Sequence, residues 1–176
     1  MVLVPCWIPR DFAADCLNTS TLPRNIHAYV FGEHGDTSFI PWSGAYVSGV
    51  SLDEYYETVE KMGRNVTKID KDAMLEYVRT SGGQVIANKG ATFYAVSVAV
   101  CKLVATILSS SDSVATVSSM MHGEYGIEDV CLSTLTLVGP KGVQGKIPMR
   151  MTKEEVEKLK ASADALKKQL SHRSSN

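Results

Sequence analysis

Ile26-His27-Ala28-Tyr29-Val30-Phe31-Gly32-Glu33-His34-Gly35-Asp36-Thr37 is the stretch on which the reading of this 176-residue chain turns. Ile26, Ala28 and Val30 alternate with His27, Tyr29 and Phe31, the period of two that sends successive side chains to opposite faces of a strand. The strand is expected to end at Gly32, delivering a histidine flanked by Glu33 and Asp36 into a turn bounded by two glycines. Two readings of Gly-Glu-His-Gly-Asp at 32–36 stand side by side: an ordinary surface turn, or an imidazole held clear of crowding for proton transfer, its tautomer fixed by a neighbouring carboxylate.

Outward from this stretch the elements follow from their local signals. Residues 38–50, aromatic and rich in small side chains, read as a second strand or extended passage. Ser51-Leu52-Asp53-Glu54 has the Ser-x-x-Glu form of a capping box and predicts a helix that stops at Met62-Gly63. A longer helix is expected from Ile69 to Asn88, interrupted at Ser81-Gly82-Gly83. Residues 92–108 are apolar nearly all round, which predicts a helix buried on most sides, the spine of the domain. Strands are expected over 113–121, 130–138 and 143–149, the last two joined as a hairpin through Gly139-Pro140-Lys141-Gly142. Thr152-Lys153-Glu154-Glu155 is a second capping box, opening a charged helix with an apolar stripe at Val156, Leu159, Ala163, Leu166 and Leu170. Strands and long helices without regular βαβ alternation point to the α+β class. The expected organisation is an irregular or rearranged segment over 1–21, one domain over 22–170 and a disordered tail over 171–176.

Composition narrows the partners. Eighteen Lys+Arg against 19 Asp+Glu leave a net charge of −1, no basis for binding nucleic acid or an anionic membrane surface. No apolar run approaches the roughly 20 residues that span a bilayer, and the apolar start is too short for a signal sequence, so a cytoplasmic protein is expected. Cys6, Cys16, Cys101 and Cys131 form no C-x-x-C pair; two sit inside apolar runs, where a reduced thiol packs as a small hydrophobe. Neither a disulfide framework nor a zinc site is expected. No G-x-G-x-x-G follows a strand, so the chain has no dinucleotide-binding fingerprint of its own.

Three further residues have a plain and a chemical reading. His27 is either a half-exposed polar residue of the strand or, with His34, one of a pair of metal ligands, although a strand would hold the two far apart. Thr92, in Lys89-Gly90-Ala91-Thr92-Phe93-Tyr94, either caps a helix or offers its hydroxyl as the wall of a small polar pocket. Arg10, a lone cation after Pro9, has the plain reading of a solvated surface arginine, and its chemical reading comes only from its position relative to His34.

Taken in order, the 26–36 stretch, Pro41-Trp42-Ser43, Val78-Arg79, Lys89 to Tyr94 and Gly123-Glu124-Tyr125-Gly126-Ile127-Glu128-Asp129-Val130 resemble the C-terminal half of bacterial NAD-dependent L-lactate dehydrogenases over roughly residues 22–170. The resemblance implies an α+β lactate/malate dehydrogenase C-terminal-domain fold, antiparallel strands with long helices. It implies that His34 is the general acid/base, passing a proton to the pyruvate carbonyl oxygen as hydride arrives from NADH, that Thr92 lines the substrate pocket, and that the protein is a homo-oligomer. In allosterically activated relatives the counterpart of His27 contacts fructose 1,6-bisphosphate across a subunit interface, so the resemblance implies an anion site there, conditional on the tetramer.

Family members also have an Asp-x-x-Arg helix before the histidine: the aspartate orients the imidazole and the arginine forks onto the substrate carboxylate. Counted back from His34 without a gap, the arginine place falls on Arg10 and the aspartate place on Trp7. Loss of such an orienting carboxylate costs on the order of 10⁴ in rate in the serine-protease triad. The nucleotide-binding half, with the mobile loop that reads the substrate, has no counterpart in the chain. The expectation is therefore a substrate-side lactate dehydrogenase domain, inactive alone, whose NAD is bound mainly by the other half. The alternatives are a non-catalytic remnant or association module, and the same domain from another 2-hydroxy acid dehydrogenase such as malate dehydrogenase, against which the Gly-Glu-His-Gly-Asp form speaks.

Overall fold

The strand expected to lead into the histidine turn forms only in part, as a two-residue strand at Ile26–His27 followed by isolated bridges at Phe31 and Gly32, and this passage runs between two cores. In the computed structural model, which describes residues 25–173, β1 (Ile26–His27) pairs antiparallel with β2 (Tyr46–Val47), and β2 with β3 (Val50–Ser51). Ile26, Ala28 and Val30 are buried in a first core with Ile40, Val47, Leu52, Tyr56 and Met74, while His27 is exposed. The alternation does not leave the other side to solvent throughout. Phe31 is fully buried and, with half-buried Tyr29, packs into a second core containing Phe39, Met121, Val130, Leu132 and Leu159. Residues 38–50 form a short 3₁₀ turn at Trp42–Gly44 and two brief strands rather than one extended passage.

The helices begin where their caps place them. Helix α1 (Leu52–Lys61) is capped by Ser51, whose hydroxyl accepts from the Glu54 amide. Helix α2 (Lys71–Lys89) is capped by Asp70, which accepts from the amides of Asp72 and Ala73, and ends at Gly90 in the left-handed region. It runs unbroken through Gly82 and Gly83, against the expected interruption. Two glycines cost about 2 kcal/mol of helix propensity, but they remove no backbone donor and so leave the hydrogen-bond ladder whole. Helix α4 (Lys153–Arg173) opens on a reciprocal capping box: Glu155 N–H donates to the Thr152 hydroxyl at 3.2 Å and Thr152 N–H to the Glu155 carboxylate at 2.8 Å. This helix continues through Arg173, so residues 171–173 are helical and not part of the disordered tail expected over 171–176, of which 174–176 lie outside the described residues.

Helix α3 (Tyr94–Leu108) departs from its expected role as the buried spine. Only Leu103 is buried, against Val117 and Val138, whereas Tyr94, Val98 and Leu108 are 69%, 57% and 81% exposed. An apolar circumference records that a helix needs cover on many sides; it does not supply the cover. Cys101, on the same helix, is exposed rather than packed, as is Cys131.

A second antiparallel sheet has the order β4 (Ser113–His122), β5 (Glu128–Gly139), β6 (Gly142–Lys146), with β5 and β6 joined through Pro140-Lys141 as the hairpin signal predicts. Two antiparallel three-stranded sheets with long helices make the fold α+β. Among the described residues no helix is long and apolar enough to cross a membrane.

Candidate functional site

Three distant elements converge on the turn that presents His34. Gly32, at φ +100°, a region open mainly to glycine, exchanges two backbone hydrogen bonds with Ser133 of β5, at 3.1 and 2.9 Å. One residue earlier, Phe31 exchanges a similar pair with Phe39, closing the turn at its base. From α4, fully buried Ser162 accepts from the Glu33 amide at 2.8 Å. From α2, the Arg79 guanidinium donates through two nitrogens to the Ser38 carbonyl. Within the turn, the Glu33 carboxylate accepts from both the amide and the hydroxyl of Thr37.

Glu33 is thereby committed to the turn itself, folded back toward Thr37. His34, Gly35 and Asp36 form the exposed crest of a turn whose two ends are buried. An imidazole on a rigid base and open to solvent can exchange protons with a bound molecule. The geometry supplies that much of an acid/base site.

The other expected residues are distributed unevenly. Thr92 is exposed and precedes α3, whose N-cap is Phe93 and whose first turn receives no side-chain cap. The capping role expected of Thr92 is therefore not the one it plays, and its hydroxyl is free of that duty. Beside it, the Lys89 ammonium lies over the rings of Phe93 and Tyr94, 4.0 and 3.3 Å from their centroids, fastening the α2–α3 junction. His27 is exposed on β1, opposite Tyr46. Among the described residues no group of three or more His, Cys, Asp or Glu side chains is placed to hold a metal ion. Arg10 and Trp7 lie outside the described residues. An apolar cavity lined by Ile26, Ala28, Trp42, Leu52, Ile69 and Met74 sits in the first core, and neither His34 nor Thr92 lines it.

Sequence reading missed the residues that hold the turn: Thr37, Arg79 in this role, Ser133 and Ser162. Ser162 left one signal. It stands between Leu159 and Ala163 on the apolar stripe of α4, where a serine must find a buried partner.

Comparison with known proteins agrees with this architecture. Residues 10–175 match the family described as lactate/malate dehydrogenase, alpha/beta C-terminal domain. The L-lactate dehydrogenase of Acetivibrio thermocellus is 39% identical over 144 residues, covering 82% of this chain and 44% of the relative. That of Thermoanaerobacterium saccharolyticum is 41% identical over 144 residues, covering 82% and 45%. Among solved structures, an L-lactate dehydrogenase from Clostridium thermocellum superposes with a TM-score of 0.77 at 34% identity, covering 93% of this chain and 51% of that one. The minor L-lactate dehydrogenase of Enterococcus mundtii gives 0.78 at 31% identity, covering 90% and 48%. The chain thus spans less than half the length of the curated relatives it matches. Its ordered motifs, its α+β fold and these likenesses agree, and the chain belongs to the lactate/malate dehydrogenase family, as the alpha/beta C-terminal domain, with L-lactate dehydrogenases as its relatives.

Proposed function

We propose that this chain is the substrate-side domain of an L-lactate dehydrogenase, interconverting (S)-lactate and pyruvate when joined to a nucleotide-binding half, and that the 176-residue chain alone does not turn over. The observation that carries the reading is the exposed His34 on a turn anchored to β5, α2 and α4. A proton donor must be held within hydrogen-bond reach of the substrate oxygen without reorganising at each turnover, and such anchoring supplies that.

NAD is the cofactor of the proposed reaction, and the described residues of this chain offer no nucleotide site that fits it. Both described sheets are antiparallel, with no parallel strand–helix–strand unit of the kind that seats a pyrophosphate. Nicotinamide, held by the other half, would supply the hydride. Within this chain, His34 would give its proton to the carbonyl oxygen of pyruvate and take it back from the lactate hydroxyl. Arg10 would fork onto the substrate carboxylate, and the uncommitted Thr92 hydroxyl would line the pocket. Trp7 at the aspartate place leaves His34 without its usual orienting carboxylate. His27, exposed at the end of β1, would meet an anionic effector such as fructose 1,6-bisphosphate only across an assembled subunit interface. The exposed apolar side of α3 is where a nucleotide-binding half would find its contact. A domain that begins near residue 22 after an irregular start and includes the whole of α4, and a cytoplasmic, homo-oligomeric enzyme, complete the proposal.

Two assays test it. With pyruvate and NADH the chain alone is expected to show no turnover, and ordinary steady-state turnover would refute its dependence on another half. Fused behind the nucleotide-binding half of the Acetivibrio thermocellus relative, it is expected to reduce pyruvate, and His34→Gln to lower kcat by about 10³-fold or more, the scale on which catalytic acid/bases matter. Unchanged kcat in that variant would sink the assignment of His34. The open α3 face favours a second reading, a non-catalytic association module, which predicts an inactive but oligomeric fusion.

A further inference from the structure

Ser162 lies 129 residues after Glu33, yet its hydroxyl sits at the centre of the histidine turn. Its oxygen accepts the Glu33 amide at 2.8 Å and lies 3.0 Å from the Thr37 hydroxyl oxygen. Proton counting fixes the direction of the chain. Glu33 Oε1 is a carboxylate oxygen, which can only accept, and it takes both the Thr37 N–H and the single Thr37 hydroxyl proton. The bond between the two hydroxyls must then run from Ser162 to Thr37. The result is a closed ring in which Glu33 N–H donates to Ser162, Ser162 to Thr37, and Thr37 to the Glu33 carboxylate. Each hydroxyl donates once, and no donor is left over.

The ring encloses the backbone just ahead of His34. Ser162 is fully buried, so its hydroxyl has no access to solvent and depends on these partners. Gly32 approaches it so closely that a Cβ at that position would lie 2.7 Å from Ser162 Oγ. The turn is thus fitted to this hydroxyl both by contact and by hydrogen bonding. A glycine at positive φ followed by an exposed crest would otherwise have many conformations open to it.

We propose that Ser162, acting through Thr37 and Glu33, is a positioning residue for His34, restricting the backbone that carries the imidazole to one conformation. The inference rests on the reading of His34 as the proton-transfer group, but it concerns conformation and is tested without turnover. In the intact 176-residue chain, amide hydrogen exchange and the imidazole NMR signals of His34 are compared for wild type, Ser162→Ala, Thr37→Val and Thr37→Ser. Ser162→Ala and Thr37→Val are expected to lower protection at the Glu33 and Thr37 amides by about tenfold or more, as for a local opening, while Leu132 and Leu159 keep theirs. The single His34 ring signal is expected to broaden or split in both variants. Thr37→Ser, which keeps the hydroxyl, restores protection and the single signal.

Unchanged protection at Glu33 and Thr37 in both variants would overturn the proposal. So would an equal loss at Leu132 and Leu159, which would make Ser162 a packing residue only. Should Ser162→Ala fail to fold, the Thr37→Val and Thr37→Ser pair decides alone. If the exchange pattern holds while His34→Gln leaves the fused enzyme active, the dehydrogenase role of His34 fails and the positioning of the turn stands.

Discussion

The carboxylate of Glu155 accepts from both the amide and the hydroxyl of Ser43, 112 residues away, and so ties the first turn of α4 to the 3₁₀ turn that follows the histidine loop. It also accepts from the Thr152 amide, so one buried carboxylate both caps its own helix and docks it. Burial pushes this carboxyl up, but the hydrogen bonds from Ser43 and Thr152 outweigh it and hold Glu155 below the usual range. Glu155→Gln keeps the shape but loses acceptor capacity, and is expected to cost about 1–3 kcal/mol near neutral pH. With the folded value depressed, the stabilisation is present above the ordinary carboxylate pKa and is lost as pH falls through the folded value. Urea melts at pH 7 and in acid should show the gap between wild type and Glu155→Gln closing in acid; a constant gap would count against the ionic cap.

Tyr125 adopts positive φ at 56° in the turn between β4 and β5, and its hydroxyl donates to the Met149 carbonyl at 3.1 Å while accepting the Met149 amide at 2.7 Å. Tyr125→Phe leaves that amide without its acceptor and should cost about 1–3 kcal/mol. Burial raises the phenol above its ordinary value, the charge of Glu124 adds to this, and the Met149 amide opposes it. The folded chain thus holds the proton where the unfolded chain releases it. The stabilisation is complete below the ordinary tyrosine pKa and is lost as pH rises through the raised folded value. Wild type and Tyr125→Phe should therefore converge in stability above about pH 10, readable by denaturant melts followed by far-UV circular dichroism.

Gly32 and Gly49 both have positive φ, but only Gly32 faces a neighbour. An added Cβ meets Ser162 Oγ at 2.7 Å at position 32 and nothing within 4 Å at position 49. Gly49→Ala should cost only the backbone strain, about 1–2 kcal/mol, and Gly32→Ala about 1–3 kcal/mol more. Equal midpoint shifts in thermal melts would show that the close approach has no energetic weight.

The exposed apolar side of α3 should make the chain associate at high concentration. The double variant Val98→Glu and Leu108→Lys replaces two exposed residues and should change unfolding stability by less than about 1 kcal/mol while shifting light-scattering mass toward the monomer. A wild-type chain that stays monomeric at high concentration would refute this.

Capping-box and hairpin signals spanning three or four residues read correctly from the sequence, whereas Ser81-Gly82-Gly83 did not interrupt its helix. Ser51 with Glu54 and Thr152 with Glu155 cap the helices they announce, and Pro140-Lys141 turns the hairpin between Gly139 and Gly142. The alternation of Ile26, Ala28 and Val30 marked the buried side of the first strand, though not that Phe31 would be buried on the other side by a second core. The glycines of the turn marked where a histidine would be presented. Nothing in the turn marked the buried serine beneath it.

Capping and hairpin turning are decided by atoms that covalent geometry already holds close, so sequence alone determined where α1, α4 and the β5–β6 hairpin lie and that His34 stands at a turn. What Glu33 and Gly32 lean on, and whether α3 finds cover, depend on contacts between segments far apart in the chain. Tertiary structure decided those: it put Ser162 under the turn and left Tyr94, Val98 and Leu108 in the open, because burial is a property of the packed neighbours and not of the residue that needs them.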